Sequence, residues 1–209
     1  YLEGSVNLRG LPDIDNTLMD IDAAPLSTHM SVLFKLIPDL KKVTNPKLST
    51  LGRIHFTGNF TGFIRDFVTF GELKSDIGNL STDLQLKIPE KGEATYRGKL
   101  TTRQFNLGKF IDNSDLGNIS FDGTVDGHGF SENDIFIKID GTIHQLNFRN
   151  YPYSNIIAHG EIDRKLFTGS ASIHDPNVVI DTLYGSINFS KSEPSFALET
   201  NIDYLNRDN

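Results

Sequence analysis

The feature that most constrains this chain is a strand-like alternation with glycine at the centre of its apolar side. In the segment Leu116–Gly127 (LGNISFDGTVDG), apolar residues and glycines alternate with polar residues. A period of two residues sends successive side chains to opposite faces of a strand, so the segment predicts a strand with one apolar and one polar face. Gly123 lies in the middle of the apolar face, between Phe121 and Val125.

The pattern apolar-x-Gly-x-apolar recurs along the whole chain. Its copies are centred on Gly4, Gly58, Gly98, Gly123, Gly141, Gly160, Gly169 and Gly185, with a weaker copy at Gly71. Glycine weakens a strand, so its repeated use indicates a bend of the sheet or a close approach of two backbones. We expect the glycines to curve one long sheet and to leave a furrow along its apolar side.

Alternating segments bounded by turn residues predict twelve strands. They span residues 2–9, 16–24, 53–64, 67–76, 80–88, 94–103, 117–127, 134–146, 154–163, 166–174, 178–189 and 195–204. Short turns rich in Gly, Asn, Asp and Pro separate most of them, which is typical of antiparallel hairpins. The predicted fold class is therefore all-β, an elongated and curved antiparallel sheet formed by a meander of neighbouring strands.

Two segments break the strand pattern. Thr28–Leu40 has helical spacing of apolar residues, with Thr28 as a candidate cap and an end near Pro38. Gln104–Ile111 is long enough for one or two helical turns. We expect both segments to cover an end of the sheet, with a binding lid as the alternative.

Length and composition limit the domain organisation and the partners. The 209 residues fit one large all-β domain, and no linker divides residues 1–209. The sequence begins at Tyr1 with strand-like residues, so we expect an internal part of a longer chain, with any membrane anchor outside it. A net charge of −7 without a basic cluster argues against nucleic acid. The absence of cysteine excludes disulfides, thiol catalysis and thiolate metal sites.

Histidines and acidic residues are the candidates for catalysis or metal binding. The last four histidines, His128, His144, His159 and His174, are spaced by 16, 15 and 15 residues, so neighbouring hairpins could stack them across a sheet. No H-x-x-H spacing accompanies them, and we interpret them as solvated strand-face residues. The acids lie mainly at turns or on polar strand faces, and G-x-S-x-G is absent. We therefore expect a non-enzymatic protein without catalytic residues, metal or cofactor.

The remaining feature is the apolar face itself. A closed β-sandwich, serving as a structural or adhesive module, would cover this face with a second sheet. Two observations weigh against that alternative: no amphipathic helix is long enough to cover a sheet, and the central glycines remove side-chain volume from a packed core. A segment of an outer-membrane barrel and a polysaccharide-active β-protein are further alternatives.

Several degenerate motifs resemble one family. They are Leu116-Gly117-x-Ile119-x-Phe121-x-Gly123, Tyr96-x-Gly98-x-Leu100, Phe105-Asn106-Leu107-Gly108, and Phe167-x-Gly169 followed by Asp175-Pro176-Asn177. With these motifs, the chain resembles, over essentially its whole length, the TamB family (translocation and assembly module) of the AsmA-like superfamily, in its Bacteroidetes-like form.

The resemblance implies a fold and a role. Proteins of this family are anchored in the inner membrane by an N-terminal helix and cross the periplasm of diderm bacteria. Their repeats form a long, open β-taco with a hydrophobic groove. They act in outer-membrane protein assembly and secretion with a TamA-like outer-membrane barrel, and in phospholipid transport between the membranes. The family has no catalytic residues, so the resemblance implies none here.

Alternation and resemblance together predict a groove for lipid acyl chains. The predicted groove residues are Ile54, Phe56, Phe60, Leu84, Leu86, Ile119, Phe121, Val125, Ile137, Ile139, Ile143, Ile187 and Phe189. Each methylene buried there would contribute about 0.8 kcal/mol. Polar and acidic residues on the opposite face would keep the sheet soluble.

Overall fold

The fold is a single antiparallel sheet in which twelve strands follow one another in chain order. A computed structural model describes residues 2–36, 38–44, 46–89, 91–130, 133–188, 190 and 195–205. The strands are β1 (Leu2–Arg9), β2 (Leu18–His29), β3 (Arg53–Phe63), β4 (Asp66–Ser75), β5 (Gly78–Lys87), β6 (Thr95–Asn106), β7 (Leu116–His128), β8 (Phe136–Phe148), β9 (Tyr151–Asp163), β10 (Leu166–Asp175), β11 (Val178–Asn188) and β12 (Ser195–Leu205).

Each strand pairs with its sequence neighbours, so the predicted all-β meander is confirmed. The sheet is open: β1 and β12 are its two edges, and no pairing joins them within the described residues. The described strands form one sheet only, so the closed sandwich considered above lacks its second sheet here.

Exposure alternates along the strands as the sequence pattern predicts. In β3, residues at odd positions such as His55 and Asn59 are exposed, whereas Ile54, Phe56 and Phe60 are buried or half-buried. The same alternation continues in β4, where Phe67 is half-buried. In β3 and β4, residues on one face are therefore exposed, and those on the other face are buried or half-buried.

Glycines bring neighbouring strands into close contact. Gly58 of β3 faces Gly71 of β4, and Gly123 of β7 faces Gly141 of β8. A Cβ added at Gly58 would lie 2.1 Å from the Phe70 carbonyl oxygen, which is closer than any side chain can approach. The expected close approach of backbones at these glycines is confirmed.

Helical segments cover one end of the apolar face. The helices are α1 (Met30–Leu36) and α2 (Leu107–Ile111), and 3₁₀ turns occupy Pro38–Lys42 and Leu48–Leu51. Met30 and Leu51 join Ile54, Ile77 and Phe105 in a buried cluster, which we call the helical corner. The predicted helical turns are confirmed, as is their position over a sheet end.

Details of the helix ends differ from prediction. Thr28 is not the cap of α1, because β2 continues to His29 and the helix begins at Met30. The His29 Nδ1 atom instead accepts a hydrogen bond from the Ser31 amide at 3.1 Å. At α2, the Asn106 side chain accepts from the Lys109 amide at 2.9 Å and caps the helix. Neither helix of the described chain has the length and apolar character of a membrane span.

Candidate functional site

The candidate site is the apolar face, where strand register aligns side chains into rows that cross the strands. One row, which we call the small-residue row, runs from β2 to β10. It consists of Ala23, Gly58, Gly71, Thr82, Leu100, Gly123, Gly141, Ala158 and Ala171, each facing the next. Apart from Thr82 and Leu100, every member is glycine or alanine, so the row has little side-chain volume.

A row of larger side chains borders it on the side of the helical corner. This bulky row consists of Leu26, Phe56, Leu73, Leu80, Thr102, Phe121, Ile143, Ile156 and Ile173. All but Thr102 are large and apolar. The small-residue row therefore lies beside a row of mostly large apolar side chains.

Two more rows lie on the other side of the small-residue row. The nearer one, the mixed row, consists of Ile21, Phe60, Thr69, Leu84, Gly98, Val125, Ile139, Gly160, Gly169 and Gly185. The outer row consists of Met19, Gly62, Phe67, Leu86, Tyr96, Gly127, Ile137, Ile162, Phe167 and Ile187. Glycines concentrate in the mixed row from β9 to β11, at Gly160, Gly169 and Gly185.

The predicted groove residues fall on this one face. Ile54 and Ile119 belong to the helical corner or pack against it. The others distribute among the rows: Phe56, Phe121 and Ile143 in the bulky row, Phe60, Leu84, Val125 and Ile139 in the mixed row, and Leu86, Ile137 and Ile187 in the outer row. Phe189 lies outside the described residues.

The apolar face packs against itself. Tyr96, Phe121 and Val125 are 8%, 5% and 7% exposed and form a buried cluster. Half-buried residues from β5, β6, β7 and β8 pack on this cluster, among them Leu84 and Ile139. Neighbours on the same face, together with Phe130 after β7, therefore supply the burial, since the described strands form no second sheet.

The sequence did not indicate where the aromatic rings of this face would lie. The Phe121 ring lies over the Gly123–Gly141 pair, because a Cβ added at either glycine would meet it within 3 Å. The Phe167 ring lies over Gly160 in the same way. A large side chain two residues from a glycine is the signal in the sequence, but the direction of the ring depends on local register.

The opposite face carries cross-strand ion pairs. Arg103 Nη2 lies 2.8 Å from Asp122 Oδ2, and His144 Nε2 lies 2.7 Å from the same oxygen. Partial burial opposes ionisation of Asp122, but hydrogen bonds from Arg103, Thr101 and His144 outweigh it and lower the pKa of Asp122 to about 2. This face is thus a charged, solvated surface that fixes strand register.

The four evenly spaced histidines do not come together. Each lies on the polar face within 3.4 Å of a carboxylate oxygen: His128 by Glu93, His144 by Asp122, His159 by Asp140 and His174 by Asp181. The side chains are about half exposed. Their placement as strand-face residues is confirmed. The described residues contain no group of three side chains suited to hold a metal ion.

A buried carboxylate anchors the end of the sheet near β10. Asp175 is 2% exposed and accepts hydrogen bonds from the Tyr151 hydroxyl and from the Ser154 amide, the latter at 3.0 Å. It also accepts from the Asn177 amide at 3.0 Å, which closes the predicted tight turn between β10 and β11. Burial opposes ionisation of Asp175, but these hydrogen bonds lower its pKa overall. Its partners on β9 make this a structural site that sequence reasoning missed.

Comparison of the chain with protein families, curated proteins and solved structures finds no match. The resemblance to the TamB family therefore rests on the sequence motifs alone.

Proposed function

We propose that this chain is a non-enzymatic module that holds or conducts lipid acyl chains along its apolar face. The observation that carries the proposal is the small-residue row, which crosses nine strands beside a wall of large apolar side chains. Because seven of its nine members are glycine or alanine, we infer that the row leaves a furrow in which an alkyl chain lies across the strands. Neighbouring strands lie about 4.8 Å apart, so the furrow extends for about 38 Å.

The pattern of burial supports a concave, taco-like face. Side chains on one face of a flat single sheet would keep much of their surface in water. Phe121 and Val125 are less than a tenth exposed although no second sheet of the described chain covers them. We infer that curvature toward the apolar side contributes to this burial, because it would bring side chains of neighbouring strands together over the glycines.

The energetics favour an alkyl chain as the occupant. An acyl chain that places ten methylenes in the furrow would gain about 8 kcal/mol from burial. Threonine contributes only Thr82 to the small-residue row and Thr102 to the bulky row, and the other members of both rows are glycine or apolar, so a bound alkyl chain meets few polar side chains as it slides. Nothing in this mechanism requires a catalytic group.

The cellular setting follows from the resemblance to TamB-like proteins. In that setting the module lies in the periplasm of a diderm bacterium, within a longer protein anchored in the inner membrane. A TamA-like outer-membrane barrel would be the partner of the parent protein. The module would then support phospholipid transport between the membranes and the assembly and secretion of outer-membrane proteins.

Site-specific photocrosslinking in cells tests this function. A benzoylphenylalanine at Ile139 would lie on the apolar face, and one at the adjacent Asp140 would lie on the polar face. We expect phospholipid adducts from position 139 and none above background from position 140. Equal adducts at both positions, or none at either, would contradict the proposal.

A further inference from the structure

One aromatic ring occupies the small-residue row. A Cβ added at Gly123 would lie 2.5 Å from Phe121 Cζ, and one at Gly141 would lie 2.8 Å from Phe121 Cε2. The ring therefore fills the space above both glycines. Phe121 belongs to the bulky row by register, but its ring extends along the strand into the neighbouring row.

The other glycine pair of the same row has different nearest neighbours. At Gly58 and Gly71, the three atoms nearest to an added Cβ all belong to the backbone of the facing strand. Ring atoms of Phe121 are thus among the nearest neighbours at β7 and β8, whereas backbone atoms occupy these places at β3 and β4.

Irregular pairing on both sides of β7 directs this ring. The β6–β7 register shifts between Thr102 and Phe105, and the β7–β8 register shifts between Ser120 and Phe121. Such β-bulges re-aim side chains and are common beside functional sites. Both shifts fall immediately before Phe121 in β7, next to the residue whose ring enters the row.

A side chain replaces the backbone partner at this point. The Phe121 amide donates to Thr102 Oγ1 at 3.0 Å, and the Thr102 hydroxyl donates to the Ile119 carbonyl at 3.2 Å. Thr102 is 5% exposed, so water does not compete for these bonds. Thr102 is therefore the positioning residue for the ring.

We propose that Phe121 is a steric gate in the furrow, held in its closed position by Thr102. This inference rests on the proposed acyl-chain function. An alkyl chain that crosses β7 and β8 along the furrow must displace the Phe121 ring, because the chain and the ring occupy the same apolar space. A side chain lacking that ring would leave the glycine pair open.

Binding of dansyl-labelled undecanoic acid, followed by its fluorescence, tests the gate. We expect Phe121→Ala to bind the probe about tenfold more tightly, as if about two more methylenes were buried. Phe121→Trp should weaken binding, because a larger ring fills the same space. Phe70→Ala is the matched control, because Phe70 lies on the polar face and is 63% exposed. It should bind as the wild type does.

Thr102 provides a second test that keeps the ring. Thr102→Val removes the hydroxyl at nearly constant volume and should shift affinity in the direction of Phe121→Ala. Thr102→Ser keeps the hydroxyl and should restore wild-type affinity. Wild-type affinity in all Phe121 and Thr102 variants would overturn the gate and leave the acyl-chain function intact. Failure of every variant and of the wild type to bind the probe would overturn both.

Discussion

Gly58 and Gly71 face each other across β3 and β4, and each backbone occupies the space that a side chain on the other would need. A Cβ on Gly58 would lie 2.6 Å from Gly71 Cα, and one on Gly71 would lie 2.8 Å from Gly58 Cα. Facing glycines therefore let two strands approach on the apolar face. Gly123 of β7 and Gly141 of β8 face each other in the same way.

Replacement of Gly58 by alanine should destabilise the sheet by about 2–4 kcal/mol, because the new methyl group meets the backbone of β4. The backbone φ of +144° adds strain for any side chain. Urea unfolding followed by circular dichroism measures the loss.

The control for this substitution is Gly92→Ala. Gly92 has a positive φ of +97° but no atom within 4 Å of an added Cβ. It should lose only about 1 kcal/mol, from backbone strain alone. Equal losses at both sites would show that close strand approach is not the reason for glycine at position 58.

The strands were predictable because their signals are local. Alternation and turn residues lie within each hairpin, so the twelve strands and their order follow from short segments. The same holds for the helical turns that end before Pro38 and at Ile111. Strand ends were less accurate: β2 was predicted to end at residue 24 but extends to His29.

The site details depend on register between strands, which short segments do not encode. The direction of the Phe121 ring follows from two bulges, and each bulge involves a neighbouring strand. Asp175 binds Tyr151 and Ser154 of β9, more than twenty residues away in sequence. The histidine spacing suggested a stack, but register places a carboxylate beside each ring instead.

A charge on the apolar face should abolish alkyl binding. Ile139→Asp introduces a carboxylate into the mixed row, where burial of a charge against an alkyl chain is costly. We expect affinity for dansyl-labelled undecanoic acid to fall by more than about tenfold.

Ile157→Asp is the matched control, because Ile157 lies on the polar face and is 43% exposed. Its strand neighbours Thr142 and Ser172 are uncharged, so the new carboxylate meets no like charge directly opposite. Binding should remain at the wild-type level. If both aspartates weakened binding equally, the apolar face would not be the site.

Acid should destabilise the fold partly through Asp122. Its pKa is about 2 in the folded chain, below the ordinary value of 3.8, so the folded state favours the ionised form. The stabilisation is fully present above pH 4 and is lost as the pH falls through the folded pKa.

The Asp122→Asn variant isolates this contribution. At pH 7 it should be less stable than the wild type, because Arg103 and His144 lose their anionic partner. The difference should shrink steeply as the pH falls toward 2, where the wild-type carboxyl group is half protonated. Urea midpoints measured at several pH values test this, and a difference that persists unchanged to pH 2 would contradict it.

Asp175 should be the most sensitive polar residue of the described sheet. Asp175→Ala removes the acceptor of at least three hydrogen bonds and leaves the Ser154 and Asn177 amides without it. We expect a loss of about 3 kcal/mol, since buried donors without partners are costly. Tyr151→Phe removes one hydroxyl, which donates to Asp175 and accepts from Asn177 Nδ2 at 2.8 Å, and should cost clearly less. Hydrogen exchange provides the spatial test, because protection should fall first in the β10–β11 turn and the start of β9. Uniform loss of protection across the sheet would instead show that Asp175 stabilises the fold as a whole rather than this end of it.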